Sequence, residues 1–263
     1  MSKKSEKMIK KKHVLIVGAG PSLKRYWDKI DDFINKNDVV TVACNRINHI
    51  LTPDIHFWTD KYRYKKFGNE INKKSRVIFY KGFPEDMIRL HWSGDYEVIK
   101  YTMKLWKDRY DDPKDSRFQI GSVRYSSELK RFYGYFRTMG ALSILWAHVN
   151  KASKISVVGM DGYAYFTKEE LKSREGSQHC YGKGFSDAIG SPTRPSSLRH
   201  GPDKDKKSDD FYEISVKKDI DIARTLRSIE KYGAKFEILT PTVYKDYYNP
   251  DILNIKDERD IEG

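Results

Sequence analysis

The fold class follows from the segment 13-HVLIVGAGPSLKRYWDKIDDFI-34, in which an apolar run leads into a glycine turn and then into an amphipathic pattern. From Leu23 to Ile34, apolar residues recur three and four residues apart, which is the spacing of one helix face. We expect Ser22 to cap the amino terminus of that helix. A strand, a glycine turn and a helix together form the opening unit of an α/β fold.

Further strands are predicted where short segments are rich in β-branched and aromatic residues. These segments are 39–44, 54–60, 76–82, 154–162 and 235–241. Helices are predicted over 138–150 and 211–233, whereas 83–132 has a mixed, irregular pattern. The alternation predicts an α/β, Rossmann-like fold, with a mostly parallel sheet and helices on both faces.

The domain organisation is predicted from changes in composition along the chain. Residues 1–12 hold six lysines and suggest a basic flexible tail, followed by a single nucleotide-binding catalytic domain over 13–250. Residues 251–263 are expected to form a C-terminal tail. The long polar stretch 166–210 predicts a lid-like insert over the active site, because loops of that length are uncommon in compact domains unless they are functional or disordered.

The composition of this 263-residue chain excludes several classes of protein. Aromatic residues make up 13%, which argues against disorder, and two cysteines are too few for a disulfide scaffold or a four-cysteine zinc site. No apolar run approaches the roughly 18 residues of a membrane span, and the amino terminus has no apolar signal region. We therefore expect a globular, cytoplasmic protein.

The net charge of +13 leaves two interpretations of the amino-terminal tail open. Its lysines either keep the protein soluble or attract an anionic surface, such as the inner face of a membrane that the protein contacts peripherally. No zinc-finger, RNP or basic-zipper pattern is present, so we expect no specific nucleic-acid partner. A homo-oligomer is expected.

The motif Gly18-x-Gly20-Pro21-Ser22 is the best-placed candidate for ligand binding. Glycines after a first strand allow the backbone to approach a phosphate, which the amino terminus of the next helix favours. The motif is neither a complete G-x-G-x-x-G fingerprint nor a Walker loop. A tight turn that binds no ligand is the alternative.

Three polar residues directly follow predicted strands and would share one edge of the sheet with this turn. They are Asn45, Asp60 and Asp161. Ligands bind beyond the carboxyl ends of the strands in open α/β sheets, so together these residues favour a nucleotide site. His49, His56 and the cysteines lack zinc-ligand spacing, and no metal site is predicted.

The blocks 17-VGAGPSLK-24, 43-ACN-45 and 137-RTMGALSILWAHVNKASKISVVGMDGY-163 resemble the bacterial sialyltransferase family that includes the Campylobacter lipooligosaccharide enzymes. They are also similar to the archaeal 6-hydroxymethylpterin diphosphokinase-like family. The resemblance covers about half of the chain. It implies a Rossmann-like sheet, and it is specific to the superfamily rather than to one reaction.

The sialyltransferase resemblance implies metal-independent transfer of a sugar from a CMP-activated donor to a glycan or glycolipid acceptor. By the same resemblance, the turn residues (Gly18, Gly20, Pro21 and Ser22), Asn45 and Gly140 would hold the nucleotide, together with the rim residues Asp60 and Asp161. Arg137 would lie near the donor. Tyr163 would hydrogen-bond the departing phosphate, with Tyr165 as a second candidate, and such donors stabilise charge that develops on a leaving group.

The general base is the point at which the chain departs from the family. The family places a histidine just before the last long helix, but 211-FYEISVKKDIDIA-223 contains none. His179 and His200 are the remaining candidates, and we expect His179, in the turn-like segment 176-GSQHCYGKG-184, to activate the acceptor hydroxyl.

Two alternative functions remain open from the sequence. A diphosphokinase-like enzyme would need ATP, Mg²⁺ and carboxylates to hold the metal. The other alternative is nucleotide binding without catalysis. The absence of a histidine at the family's position for the general base favours it.

Overall fold

The computed structural model describes residues 7–47, 49–102, 123–165 and 209–256. The strands in this part of the chain are β1 (His13–Val17), β2 (Val39–Cys44), β3 (Ile55–Trp58), β4 (Arg76–Tyr80), β5 (Tyr96–Thr102), β6 (Val123–Ser126), β7 (Arg131–Gly134), β8 (Lys154–Val158) and β9 (Glu237–Ile238). They form one sheet in the order β6-β7-β5-β4-β3-β2-β1-β8-β9. Only β6 and β7 pair antiparallel within it, so the predicted α/β, Rossmann-like architecture is confirmed.

The described helices are α1 (Pro21–Arg25), α2 (Trp27–Lys36), α3 (Lys61–Phe67), α4 (Glu85–Arg89), α5 (Met139–Val149) and α6 (Asp209–Lys231). Short 3₁₀ turns lie at Gly68–Glu70, Lys245–Tyr247 and Pro250–Leu253. None of the described helices is both long and apolar enough to cross a bilayer.

Helices cover both faces of the sheet, as the alternating side chains of β1 illustrate. Val14 and Ile16 are buried in the cluster that includes α5 and α6. Leu15 and Val17 point to the opposite face and pack with residues of α1 and α2. Both sets of side chains are fully buried, which explains why β1 is a continuous apolar run in the sequence.

The amphipathic segment after the glycine turn differs from its prediction in two respects. It forms two helices rather than one, with Tyr26 at φ −112° and ψ 23° between them. The prediction that Ser22 is the N-cap is wrong, because Gly20 occupies that position. Pro21 is favoured at the first helical position, since it has no N–H to satisfy there, and it starts the helix before Ser22.

The prediction that 83–132 is irregular is also wrong for the described part of that segment, which contains α4, β5, β6 and β7. In β5, the charged residues Glu97 and Lys100 interrupt the apolar pattern of a half-buried strand, in which Ile99 is buried and Val98 is exposed. The Glu97 carboxylate forms an ion pair with Arg76 of the neighbouring strand β4, so the charge is compensated across the sheet.

The folded body extends beyond the predicted domain bounds of 13–250. Ile9 is fully buried against the main core, and Leu253 and Ile255 are buried against the α1–α2 side. The residues at both ends therefore contribute apolar side chains to the two cores. Most of the predicted insert, residues 166–208, lies outside the described residues.

The order of the strands identifies where a ligand crevice should lie. From β1 the chain builds β2, β3, β4 and β5 successively on one side, and it later returns to place β8 on the other side of β1. A crevice opens at the carboxyl ends of the strands where the chain reverses direction in this way.

Candidate functional site

A cavity of about 300 Å³ lies at the carboxyl ends of β1, β2, β3 and β8. Residues predicted from the sequence that line it are Gly18, Gly20, Asn45, Asp60, Arg137, Gly140, Asp161 and Tyr163. Pro21, Ser22 and Tyr165 are described but are not among its lining residues. His179 and His200 lie outside the described residues, so the predicted histidine base cannot be placed relative to the cavity.

The glycines of the first turn allow it to pack against the turn that follows β8. A Cβ atom on Gly18 would lie 2.4 Å from the carbonyl oxygen of Gly159, and one on Gly20 would lie 2.5 Å from Oδ1 of Asp161. The N–H groups of Gly18 and Gly20 donate to the carbonyls of Val158 and Gly159, each at 2.8 Å. These two N–H groups therefore hold the two turns together.

A carboxylate already occupies the amino terminus of α1. Oδ2 of Asp161 accepts the Ser22 N–H at 2.7 Å, and Oδ1 accepts the Ser22 hydroxyl. Asp161 is only 1% exposed. Negative charge is stabilised at this position by the unpaired N–H groups and the helix dipole. A ligand phosphate is thus more readily accommodated elsewhere in the cavity.

Asn45 shapes the turn that leaves β3. Its backbone is in the left-handed region, at φ 55°, which asparagine tolerates better than most residues. Its side-chain oxygen accepts the N–H groups of Thr59 and Asp60, each at 3.3 Å. Asn45, which follows β2, therefore fixes the position of Asp60, which follows β3.

Asp60 caps α3 and keeps part of its carboxylate accessible. Oδ1 accepts the N–H groups of Tyr62 at 2.9 Å and Arg63 at 3.0 Å. Oδ2 lies 3.5 Å from Nε of Arg63, and the Asp60 side chain is 40% exposed. The carboxylate can therefore be reached from the cavity, unlike that of Asp161.

Two arginines give the cavity a cationic character. Arg137, just before α5, lies 3.4 Å from Oδ2 of Asp221, and its guanidinium stacks on the Tyr135 ring at 4.4 Å from the centroid. Arg63 lies in the first turn of α3, with its side chain only 14% exposed. The sequence analysis missed Arg63, whose only local signal was its place three residues after Asp60, at the end of a predicted strand.

The Tyr163 hydroxyl belongs to this cationic end. Burial raises the pKa of Tyr163, while Arg63 and Arg137 act in the opposite direction and lower it. The Lys218 ammonium lies 4.8 Å from the centre of the Tyr163 ring. At neutral pH the phenol is protonated, so it can donate a hydrogen bond to an anion beside the guanidinium groups.

Asp219 of α6 holds the loop that carries Tyr163. Its carboxylate accepts the N–H of Tyr163 at 2.9 Å, the N–H of Ala164 at 2.6 Å and the hydroxyl of Tyr244 at 2.7 Å. Gly162, at φ 101°, allows the chain to turn there. The position of Tyr163 is therefore tied to the C-terminal helix as well as to β8.

Another part of the cavity wall is aromatic. Tyr101 and Phe136 both line it, with their ring centroids 6.4 Å apart in an edge-on arrangement. The Tyr101 ring also packs on Tyr80 at 4.5 Å. Burial, assisted by Tyr80 and Asp60, raises the pKa of Tyr101 to about 12. This wall offers flat apolar surface together with a hydroxyl group.

Two further sources of chemistry in the cavity would be a reactive thiol, which Cys44 could supply, and a group of metal ligands, which His, Cys, Asp and Glu side chains could supply. Burial raises the pKa of the Cys44 thiol to about 12, so it is not a reactive thiolate at neutral pH. Within the described ranges, no three His, Cys, Asp or Glu side chains are grouped so that they could hold a metal ion.

The chain matches no protein-family model, no curated protein and no solved structure.

Proposed function

We propose that this chain is a sialyltransferase-like glycosyltransferase, which transfers a sugar from a CMP-activated donor to a glycan or glycolipid acceptor without a metal ion. The observation that carries the proposal is the grouping of Arg63, Arg137 and the Tyr163 hydroxyl at the switch-point cavity. Guanidinium groups bind phosphate through paired hydrogen bonds, and a CMP-sugar presents its phosphate next to the bond that breaks.

These groups would act on the leaving nucleotide. When the bond between the anomeric carbon and the phosphate oxygen breaks, negative charge grows on the phosphate. Donors that are already oriented toward that charge stabilise the transition state more than the ground state. Arg137 is held by Asp221 and Tyr135, and the Tyr163 loop is held by Asp219, so both donors are fixed before the ligand binds.

The carboxylates of the cavity favour this reaction over a Mg²⁺-dependent transfer of diphosphate from ATP. Mg²⁺ is usually held by one or two carboxylates together with the substrate phosphates. Asp161 is committed to Ser22, so Asp60 is the one accessible carboxylate of the described cavity, and its Oδ2 lies 3.5 Å from Nε of Arg63. Among the described residues, the cationic side chains are better placed than the carboxylates to neutralise a phosphate.

The acceptor and the location of the enzyme belong to the same proposal. A glycolipid acceptor would lie at a membrane surface, and the six lysines of residues 1–12 would attract anionic lipids to it. Each basic residue near such a surface contributes about 1 kcal/mol.

The test is release of CMP from a panel of CMP-sugars, with and without a chelator, by the wild type, Arg137→Lys and the control Arg227→Lys. Arg227 is exposed and lies outside the cavity, paired with Asp246. We expect chelator-resistant turnover that falls about 100-fold in Arg137→Lys, because lysine cannot reproduce the paired contact. The control should be unaffected.

Nucleotide-dependent thermal stabilisation separates the alternatives. Stabilisation by CMP in the presence of chelator supports the proposal. Stabilisation only by ATP with Mg²⁺ would contradict the proposal and favour a diphosphokinase-like enzyme. CMP binding without turnover of any donor would indicate a nucleotide-binding protein that is not an enzyme.

A further inference from the structure

Asp60 interacts with the cationic end of the cavity, where Arg63 lies, and with the aromatic wall formed by Tyr101 and Phe136. Asp60 contacts Arg63 at 3.5 Å, and Arg63 in turn acts electrostatically on Tyr163 at the cationic end. Asp60 also acts electrostatically on Tyr101 in the aromatic wall. If the nucleotide phosphate occupies the cationic end, a second substrate beside Tyr101 would be within reach of Asp60.

Asp60 also has a carboxylate oxygen that the helix cap does not use. Oδ1 accepts both capping N–H groups, whereas Oδ2 has its contact with the Arg63 side chain. At 40% exposure, the Asp60 side chain is open to a ligand, whereas Asp161 at 1% exposure is not. Of the two carboxylates that line the cavity in the described residues, Asp60 is the accessible one.

We infer that Asp60 is the general base of the transfer, and that the acceptor sugar lies against Tyr101 with its reacting hydroxyl toward Oδ2. This inference rests on the function proposed above. It assigns the base to a residue at the end of β3, rather than to His179 as the sequence analysis predicted.

The step balances without any further reactant. The acceptor O–H bond breaks, and its proton passes to Oδ2 of Asp60. The acceptor oxygen forms a bond to the anomeric carbon as the bond from that carbon to the phosphate oxygen breaks. The electron pair of the broken bond stays on CMP, where Arg63, Arg137 and Tyr163 stabilise the charge.

Other groups of the described cavity are poor bases at neutral pH. Burial raises the pKa of both Tyr101 and Cys44 to about 12, and the pKa of Tyr163 is also raised. All three therefore hold their protons at neutral pH and do not serve as the base that takes up the acceptor proton.

The variant Asp60→Asn distinguishes the role of Asp60 as a general base from its role as the N-cap of α3. Asparagine is as good an N-cap as aspartate, so α3 and its contact with Asn45 should be kept while the negative charge is removed. The matched control is Asp86→Asn, which changes an aspartate in the first turn of α4, outside the cavity.

The experiment compares sugar transfer to a hydroxyl acceptor with transfer to azide, which is already an anion and needs no base. In Asp60→Asn, transfer to the hydroxyl acceptor should fall about 100-fold or more, which is the usual contribution of a general base. Transfer to azide, measured as CMP release, should not fall below the wild-type rate, and CMP affinity should not be weakened, because the substitution removes a negative charge beside Arg63.

Three results would overturn the assignment of Asp60. The first is an Asp60→Asn enzyme that transfers sugar to the hydroxyl acceptor as well as the wild type does. The second is an Asp60→Asn enzyme that loses the azide reaction together with the hydroxyl reaction. The third is a His179→Asn enzyme that loses only the hydroxyl reaction, while Asp60→Asn remains active. If the wild type releases no CMP from any donor, even with azide, the proposed function itself has failed.

Discussion

At the scale of single residues, the glycines and the serine of the first turn serve to pack it against a second turn of the same chain. Gly18 and Gly20 touch the Gly159–Asp161 turn, and Ser22 bonds an aspartate 139 positions away. The sequence indicated that these positions were special, because glycine, proline and serine punctuate the end of a strand. It could not show that the partner was another turn of the same chain, since that contact forms only when β1 and β8 pair.

Gly18→Ala should destabilise the fold strongly. The added Cβ would lie 2.4 Å from the Gly159 carbonyl oxygen, and both turns would have to separate to accommodate it. We expect a loss of about 2–4 kcal/mol in the free energy of unfolding, measured by urea titration.

Gly140→Ala is the matched control for that substitution. Its Cβ would meet the flexible end of Met160 at 3.1 Å, and alanine gains about 1 kcal/mol of helix propensity over glycine. Equal losses in the two variants would contradict the close packing of the turns.

At the scale of elements, strands and helices were predicted correctly where burial alone determined the pattern of apolar residues. β2 has the predicted bounds of 39–44, and α5 over Met139–Val149 lies within the predicted 138–150, because continuous burial produces a continuous apolar run. β5 was missed because its polar Glu97 is compensated by Arg76 on the next strand. Such pairing depends on which strands are neighbours, and a local pattern does not contain that information.

The interior of β3 also contains a group that makes stability depend on pH. His56 is completely buried, with Nε2 donating to the Asn45 carbonyl oxygen. Burial lowers the pKa of His56 to about 4, although the hydrogen bond to Asn45 acts in the opposite direction. Protonation of the folded state is therefore disfavoured at mildly acidic pH.

The free energy of unfolding should consequently fall as the pH drops below about 6.5. The unfolded chain takes up a proton on His56 first, since its pKa there is the ordinary one, and the loss continues until the folded state titrates near pH 4. The difference in pKa corresponds to about 3 kcal/mol at most.

Urea titrations between about pH 7 and pH 4 test this, with His56→Gln as the comparison. Burial also lowers the pKa values of His13, His49 and His148, which both proteins share. The slope with pH should therefore be smaller in His56→Gln by the contribution of His56 alone. An identical slope would show that His56 does not titrate in this way.

At the scale of the whole molecule, the strand order brings distant segments to one site. Gly18, Asp60, Arg137 and Tyr163 lie at the ends of different elements, and the parallel sheet places them around one cavity. That common edge was predictable from the alternation of strands and helices. Arg63 was not predicted, because its distance from Tyr163 depends on how α3 packs across the end of the sheet.

The net charge of +13 should make ligand binding sensitive to salt. A positive molecule with arginines in its cavity attracts an anionic donor, and dissolved ions screen that attraction over about 10 Å at 0.1 M salt. Raising the salt concentration should therefore weaken CMP binding mainly by slowing association. Stopped-flow binding of CMP across a series of salt concentrations measures this effect.

Cytidine is the appropriate control ligand, because it shares the base and the sugar of CMP but carries no phosphate. Its weaker binding should change little with salt, so the difference between the two ligands isolates the phosphate contact. Arg63→Gln should reduce the salt dependence of CMP and leave that of cytidine unchanged, since one of the charges that act on Tyr163 is then removed. Equal salt dependence for both ligands would place the phosphate outside the reach of these arginines, and it would remove the electrostatic basis for treating CMP as the leaving group.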